Sequence, residues 1–348
     1  MIPEPAPAVP DQGEAALPPV SVIMPVRDEE PYLADSVHRI LDDGYAGEIE
    51  IVLAVGPSQD RTAQIADELA ARDPRVVVVE NPTGRTPAGL NAAIRASRHA
   101  ILVRVDGHGF LPPRYIETAV DALARTGAAN VGGVMVPEGR TPFEQAVARA
   151  MSSRVGIGGA PFHVGGQAGP TQSVYLGVFR RDVLEELGGF DEHFTRAQDW
   201  ELNHRIRAAG HTVWFEPGMR VAYRPRSGLR ALVTQFRGSG RWRREVVRTY
   251  PETASMRYLA APVAVVGLAG GTLAGVAGLV GGPAWLRLGF AAPVGYAAIL
   301  AAATVVEGKG LAPRARAWFP GVVATMHLAW GAGFLAGVRA EHADRAPR

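Results

Sequence analysis

The chain has no cysteine, which excludes disulfide staples and thiolate metal sites without identifying a compartment. It also lacks any block of like charge that looks like a binding tail. Its formal charge of +2 and pI near 9.1 are too mild to imply a nucleic-acid partner. The start shows no basic-then-apolar signal-peptide pattern; residues 1–19 are proline-rich and read as a disordered tail. Long internal repeats and coiled-coil heptads are absent. The glycines of 156–169 have neither dinucleotide-fingerprint spacing nor a Gly-Lys-Ser/Thr ending, so they do not make a phosphate loop. A mobile active-site loop is expected there, with His163 and Gln167 either facing a substrate or lying on the surface with no ligand.

Asp, Glu, Lys and Arg are missing altogether from 258–286, 288–306 and 317–338. Each stretch is long enough to cross a hydrocarbon core, which needs roughly 20 apolar residues. Three transmembrane helices are therefore expected over 258–338, the second beginning near Ala284 with Arg287 at its interfacial end. Buried helices of a large soluble domain would need far more polar protein around them, although 47% apolar content and a mean hydropathy of +0.04 are high for a wholly soluble chain. Arg237, Arg241, Arg243, Arg244, Arg248 and Arg257 precede the first stretch. Lys309, Arg314 and Arg316 separate the second from the third, whereas only Arg287 lies between the first two. The positive-inside rule then predicts a multi-pass protein of the cell (inner or plasma) membrane with its N-terminal domain cytoplasmic and its C-terminus outside. His327, alone in the third stretch, receives no role, and 339–348 reads as a tail.

Between 20 and about 136, apolar runs and helix-like segments alternate. Strands are expected at 20–26, 50–55, 75–79 and 100–105, and helices at 28–41, 61–71, 87–97 and 113–126. That alternation predicts an α/β domain with a largely parallel sheet under crossover helices. Ser58-Gln59-Asp60 supplies N-cap chemistry for the second helix. Beyond Asn130 the order loosens, with further helices near 180–187 and 199–209.

Four islands carry chemistry. Ile101 to Val105 is an apolar run ending in Asp106-Gly107-His108, a carboxylate and an imidazole at the end of a strand. Ligands of open α/β sheets gather beyond the carboxyl ends of strands, so this pair suits a divalent cation on a bound phosphate. In Met24-Pro25-Val26-Arg27-Asp28-Glu29-Glu30 a strand runs into acidic residues at a helix start, where the helix dipole alone explains at least one of them. Gly84-Arg85-Thr86-Pro87-Ala88-Gly89-Leu90-Asn91 turns into a helix whose free N–H groups, with Arg85, suit a diphosphate or base. Gln198-Asp199-Trp200-Glu201 opens another helix just after Gly188-Gly189-Phe190-Asp191-Glu192.

In this order and spacing the islands resemble glycosyltransferase family 2, the inverting family with the GT-A nucleotide-sugar fold, over roughly 20–226. Within that family the chain is similar to exopolysaccharide transferases of succinoglycan type, in Gly84 to Asn91, in Val105-Asp106-x-His108 and in Asp199-x-Glu201-Leu202-Asn203-x-Arg205-Ile206-Arg207. The resemblance implies a GT-A domain over 20–228 with a mostly parallel, Rossmann-like sheet. It places Pro25, Val26, Asp28, Glu30, Asp60, Arg85, Asn91 and Asp106 at the nucleotide-sugar donor. It puts Asp106 and His108 on a divalent cation, Mn²⁺ or Mg²⁺, and makes Asp199 the catalytic base, with Asp191 or Glu201 as the alternatives. Inverting transfer needs such a base for the acceptor hydroxyl and a Lewis acid for the departing diphosphate.

The pattern departs from the family in three places. His108 replaces the usual second Asp, which favours manganese, since imidazole suits Mn²⁺ better than Mg²⁺. Val55-Gly56-Pro57 replaces Asp-Asp-Gly, leaving the nucleobase open. The Gln-x-x-Arg-Trp motif of processive synthases survives only loosely as Gln235 and Arg241-Trp242, which points to one addition per encounter. Residues 229–257 read as a basic amphipathic segment at the membrane surface. Its arginines serve either anchoring or the phosphate of a polyprenyl-linked acceptor.

The expected function is membrane-anchored transfer of a sugar from a nucleotide-sugar to a lipid-linked or glycan acceptor. Two rivals remain. A nucleotidyltransferase would carry a glycine-rich, basic signature where this chain has Arg27-Asp28-Glu29-Glu30. A membrane scaffold would bind a glycan without catalysis.

Overall fold

The computed structural model describes residues 17–42 and 44–338; positions 1–16 and 339–348 of the expected tails lie outside the described residues. Unbroken apolar runs favour strands buried on both faces, as in parallel sheets covered by helices. Four such runs, β1 (Val20–Val26), β2 (Ile49–Val55), β3 (Val76–Glu80) and β4 (Ile101–Arg104), lie parallel. They are joined through α1 (Leu33–Leu41), α2 (Thr62–Arg72) and α3 (Thr86–Ala96). After β4 come α4 (Tyr115–Thr126), β5 (Asn130–Pro137), α5 (Pro142–Met151), α6 (Arg154–Ile157), α7 (Pro161–Val164) and β6 (Gly169–Pro170). The domain closes with β7 (Tyr175–Arg180), α8 (Arg181–Glu186), α9 (Gln198–Ala208) and β8 (Val213–Tyr223).

The strand order is β3-β2-β1-β4-β7-β5-β8-β6. The period of two sorts the strand residues between two apolar layers. Met24 points to the side covered by Val37 of α1, Leu69 of α2 and Ile116 of α4. Its neighbour Ile23 points to the side covered by Leu90 of α3, Leu184 of α8 and Leu202 of α9.

Three features differ from expectation. First, α1 begins at Leu33, because residues 28–32 form a turn that Asp28 enters with φ of 55°. Second, β7 and β8 continue the sheet; β7 runs antiparallel to both β4 and β5. β8 hides its period of two behind Pro217-Gly218, where the pairing register with β5 shifts between Gly132 and Val134. Third, the glycine-rich stretch 156–169 takes in the end of α6 and the whole of α7.

Beyond the sheet, α10 (Leu229–Thr249) precedes three helices long and apolar enough to cross a membrane. These are α11 (Met256–Leu279), a 3-10 turn (Ala284–Phe290) continuing into α12 (Ala291–Glu307), and α13 (Pro313–Ala336). The first two leave most of their surface uncovered, but α13 is sheltered over a larger share, 39% against 11% and 6%. It runs beside α10. Leu232 and Phe236 pack with Phe319, Val322 and Met326; Gly240 lies against the Trp330 carbonyl and Gly333 against the Arg237 carbonyl, so close that neither position has room for a Cβ. Arg244 donates to the Leu335 carbonyl at one end of α13. Arg149 of α5 donates to the carbonyl of Glu307, the last residue of α12, and, at 2.9 Å, to that of Lys309 in the turn before α13. One end of α13 is thus tied to α10, while the end of α12 and the turn leading into α13 are tied to α5.

Candidate active site

The strand order reverses between β1 and β4, and that is where open α/β sheets form a ligand crevice at their carboxyl ends. The loop after β1 is laced to the loop after β2. Asp28, in the left-handed region that costs a non-glycine residue, donates its N–H to Ser58 Oγ at 3.2 Å and accepts the Gln59 N–H at 2.8 Å. Glu30 donates its N–H to Asp60 at 3.0 Å, and its carboxylate accepts the Arg61 N–H at 3.1 Å. Asp60 also accepts the Thr62 N–H and hydroxyl at 3.0 and 2.6 Å. Slight burial pushes its carboxyl up, but these hydrogen bonds outweigh it and hold the group below the ordinary carboxylate range. Glu30 and Asp60 therefore fasten loops at the start of α2. The acidic run does not cap α1, as its position in the sequence suggested. Val26 is buried, with its carbonyl on the Gly56 N–H at 2.9 Å, and Pro25 packs against Gly89.

Across the crevice, the turn after β4 carries Asp106 and His108. Gly107 presses on the Glu29 side chain, with no room for a Cβ, and His108 Nδ1 lies 2.8 Å from Glu29 Oε1. The hydrogen bond that His108 donates to the Glu29 carboxylate raises the imidazole above its ordinary pKa, against the opposing effect of burial. Arg104, the last residue of β4, is 4% exposed, and its guanidinium bonds both Asp106 (Nη2 to Oδ1, 3.0 Å) and Asp199 (Nη1 to Oδ1). Two islands 93 residues apart are joined on one cation. Among the described residues no group of three or more His, Asp or Glu side chains forms a metal cage. One carboxylate and one imidazole suit a cation that takes its remaining ligands from a diphosphate and water.

Other candidates have different surroundings. Asn91 is committed to the Gly188–Glu192 turn: it accepts the Phe190 N–H at 2.8 Å and donates to the Phe190 carbonyl at 2.8 Å and to Glu192 at 3.1 Å. Glu201 is fully buried on Arg205 and the Tyr250 hydroxyl, which leaves it no path to a substrate proton. Trp242 is core, packed with Phe194, Trp200 and Val246 rather than presented to an acceptor. His163 is sheltered beside Phe162, and burial pushes its imidazole down to about 4, while Gln167 is exposed. Arg85 stands before α3, with Gly84 beside Arg27. Gln235 and half-buried Arg241 both lie on α10.

The family model described as Glycosyl transferase family 2 matches residues 21–188. The chain is 30% identical over 319 residues to the succinoglycan biosynthesis protein ExoA of Rhizobium meliloti, covering 90% of this chain and 93% of that protein. The chain belongs to glycosyltransferase family 2. The glycosyltransferase AglE of Haloferax volcanii is 27% identical over 229 residues, 64% of this chain and 72% of its own. The mannosyltransferase PcManGT from Pyrobaculum calidifontis, solved with GDP-Man and Mn²⁺, shares the fold with a TM-score of 0.57 at 22% identity, covering 95% of this chain and 90% of that one. As a family 2 member with three apolar C-terminal helices, the protein is a membrane-associated glycosyltransferase of glycan biosynthesis.

Reading the sequence for family 2 motifs passes over Arg104 and the pairing of Glu29 with His108. The signal for Arg104 was present: a cation inside a buried apolar strand requires carboxylates. Replacing Arg104 with Met should leave Asp106 and Asp199 facing each other unneutralised and cost about 3 kcal/mol or more in thermal unfolding. Adding Asp199→Asn should recover part of that loss, since the two positions are coupled; strictly additive losses would show that they are not. For the His108–Glu29 pair the folded pKa is raised. Its stabilisation is therefore complete below the free imidazole value of about 6.5 and is lost as pH rises through the folded value. Glu29→Gln should accordingly lower the unfolding temperature more at about pH 6 than at about pH 9.

Proposed function

We propose that the protein transfers one sugar per encounter from a nucleotide-diphosphate sugar to a hydroxyl of a lipid-linked or glycan acceptor, with inversion at the anomeric carbon. The observation that supports this is the Arg104 bridge, which brings Asp106 and Asp199 within reach of one guanidinium. Asp199 takes the proton from the acceptor oxygen as that oxygen bonds to the anomeric carbon. The bond from that carbon to the diphosphate breaks with its electrons going to the phosphate oxygen. Arg104 orients both carboxylates, Asn91 holds the Phe190 turn in place, and Arg27 and Arg85 flank the donor side. Asp106 and His108 would hold a divalent cation, which when bound neutralises charge on the leaving diphosphate. The GDP-Man and Mn²⁺ in the mannosyltransferase of the same fold support that donor class and that ion.

In the membrane, α11 and α12 form the inserted hairpin, while α13 lies along the interface between the hairpin and the catalytic domain. The packing of α13 on α5 and α10 supports this arrangement, as does the cost of drawing arginine-rich α10 into lipid beside it. The catalytic domain is cytoplasmic. The end of α13 falls on the same side, where the sequence alone predicted an outward C-terminus.

Asp199→Asn in the purified full chain should lower kcat by roughly 10²- to 10⁴-fold with little change in donor KM. Chelation should stop the wild type until Mn²⁺ is restored, and full activity in either case would refute the corresponding role. The cysteine-free chain allows single-cysteine labelling with an impermeant maleimide. Ala284→Cys should react from the outer face and Ala336→Cys from the cytoplasmic face; outer-face labelling of Ala336→Cys would mean that α13 crosses.

A further inference from the structure

The cavity at the start of α10 has no part in the donor site or in the Arg104 bridge. We propose that it seats the phosphate or diphosphate of a membrane-lipid-linked acceptor, an inference that rests on the transferase reading above and names its acceptor class. Its volume is about 610 Å³, and Arg196, Arg226, Arg230, Gly228, Thr234 and Gln235 line it, with no Asp or Glu among the lining residues. None of the three arginine guanidiniums makes a hydrogen bond or ion pair with another described residue, whereas Arg104, Arg205 and Arg248 all engage carboxylates. Arg196 lies across α10 at Gly238, and burial followed by the charge of Arg226 pushes its guanidinium below its ordinary value. Guanidiniums that face one another around an open cavity are an unfavourable arrangement unless an anion joins them.

The backbone adds to the same field. Gly228 caps the 21-residue helix α10 without any side-chain hydrogen bond, so the first N–H groups and the positive end of the helix dipole remain available at the cavity. Gln235 Nε2 is spent on the Tyr223 hydroxyl, 2.9 Å away, while its Oε1 is buried without a partner.

Position identifies the source of the anion. Arg196 precedes Asp199 by three residues, in the segment that leads into α9. The cavity lies where the start of α10 meets the segment leading into α9, the helix that carries the proposed base. One turn further along α10, Leu232 and Phe236 pack on α13. The cavity thus lies next to the apolar helices, and a lipid anchored in the bilayer can deliver its phosphate there and its sugar hydroxyl to Asp199. Transfer forms the glycosidic bond on that hydroxyl, and the acceptor's own phosphate bonds stay intact.

The test uses the full chain in phosphatidylcholine nanodiscs that carry polyprenyl diphosphate, or an equal charge of phosphatidylglycerol, and reads thermal stabilisation. Arg226→Gln and Arg230→Gln alter exposed side chains and serve as variants that fold; Arg196→Gln tests the sheltered member. Polyprenyl diphosphate should stabilise the wild type where phosphatidylglycerol does not. Each variant should weaken that effect, raising the apparent KM for a lipid-diphosphate acceptor about tenfold, and stabilisation by nucleoside diphosphate with Mn²⁺ should persist. Equal stabilisation by phosphatidylglycerol would reduce the cavity to non-specific surface charge. Loss of the nucleotide effect with the lipid effect retained would assign it to the donor, and either result overturns the proposal. If no nucleotide sugar supports transfer, the function above fails, and the lipid-binding measurement still decides the site.

Discussion

A guanidinium that is almost completely removed from water is costly unless carboxylates surround it, and Arg104 meets that requirement with Asp106 and Asp199. The bridge constrains a large part of the domain. It fixes the end of β4 against the start of α9, so the helix that carries Asp199 cannot shift without stranding a buried charge. Around it the structure adds fasteners of the same kind: Glu30 and Asp60 tie two loops at α2, Asn91 ties α3 to the Phe190 turn, and Arg205 on buried Glu201 ties α9 to the backbone of that turn. The crevice is preorganised by polar groups already paired within the protein, which leaves few unpaired polar groups for ligands.

The same logic separates residues that hold the site from residues that face a ligand. Asn91, Glu30 and Asp60 belong to family 2 motifs, yet their polar atoms are spent on neighbouring loops. Asp106, 29% exposed on its side chain, has room for a ligand beside its arginine. At α10 the balance reverses: three arginines surround open space with no carboxylate among the lining residues. The Arg104 bridge is electrostatically closed, whereas the α10 cavity is positive and open.

Packing and hydropathy both set α13 apart. All three helices are long and apolar enough to cross a membrane, but α13 has a mean hydropathy of 1.3 against 1.8 for the other two. Of the three, only α13 shares an interface with α10 in which glycines bring the two backbones together, and it packs on α5 as well. Hydropathy measures whether a helix tolerates lipid; it does not measure whether protein already covers it.

The sequence by itself determined β1 to β4 to within a residue or so at each end, because continuous apolar runs between helical periods leave few other pairings. It determined the three apolar C-terminal helices, and the order of its motifs was enough to recognise family 2. Antiparallel β7 was not legible, since orientation is set by where the chain returns. Nor was β8, whose Pro217-Gly218 interrupts the alternation that marks a strand. Tertiary structure alone decided that Arg104 unites Asp106 with Asp199, that Trp242 is core, and that Arg196 and Arg226 share a cavity. Sequence spacing specifies local conformation, whereas charge pairing between distant segments depends on which surfaces the fold brings within a few ångströms.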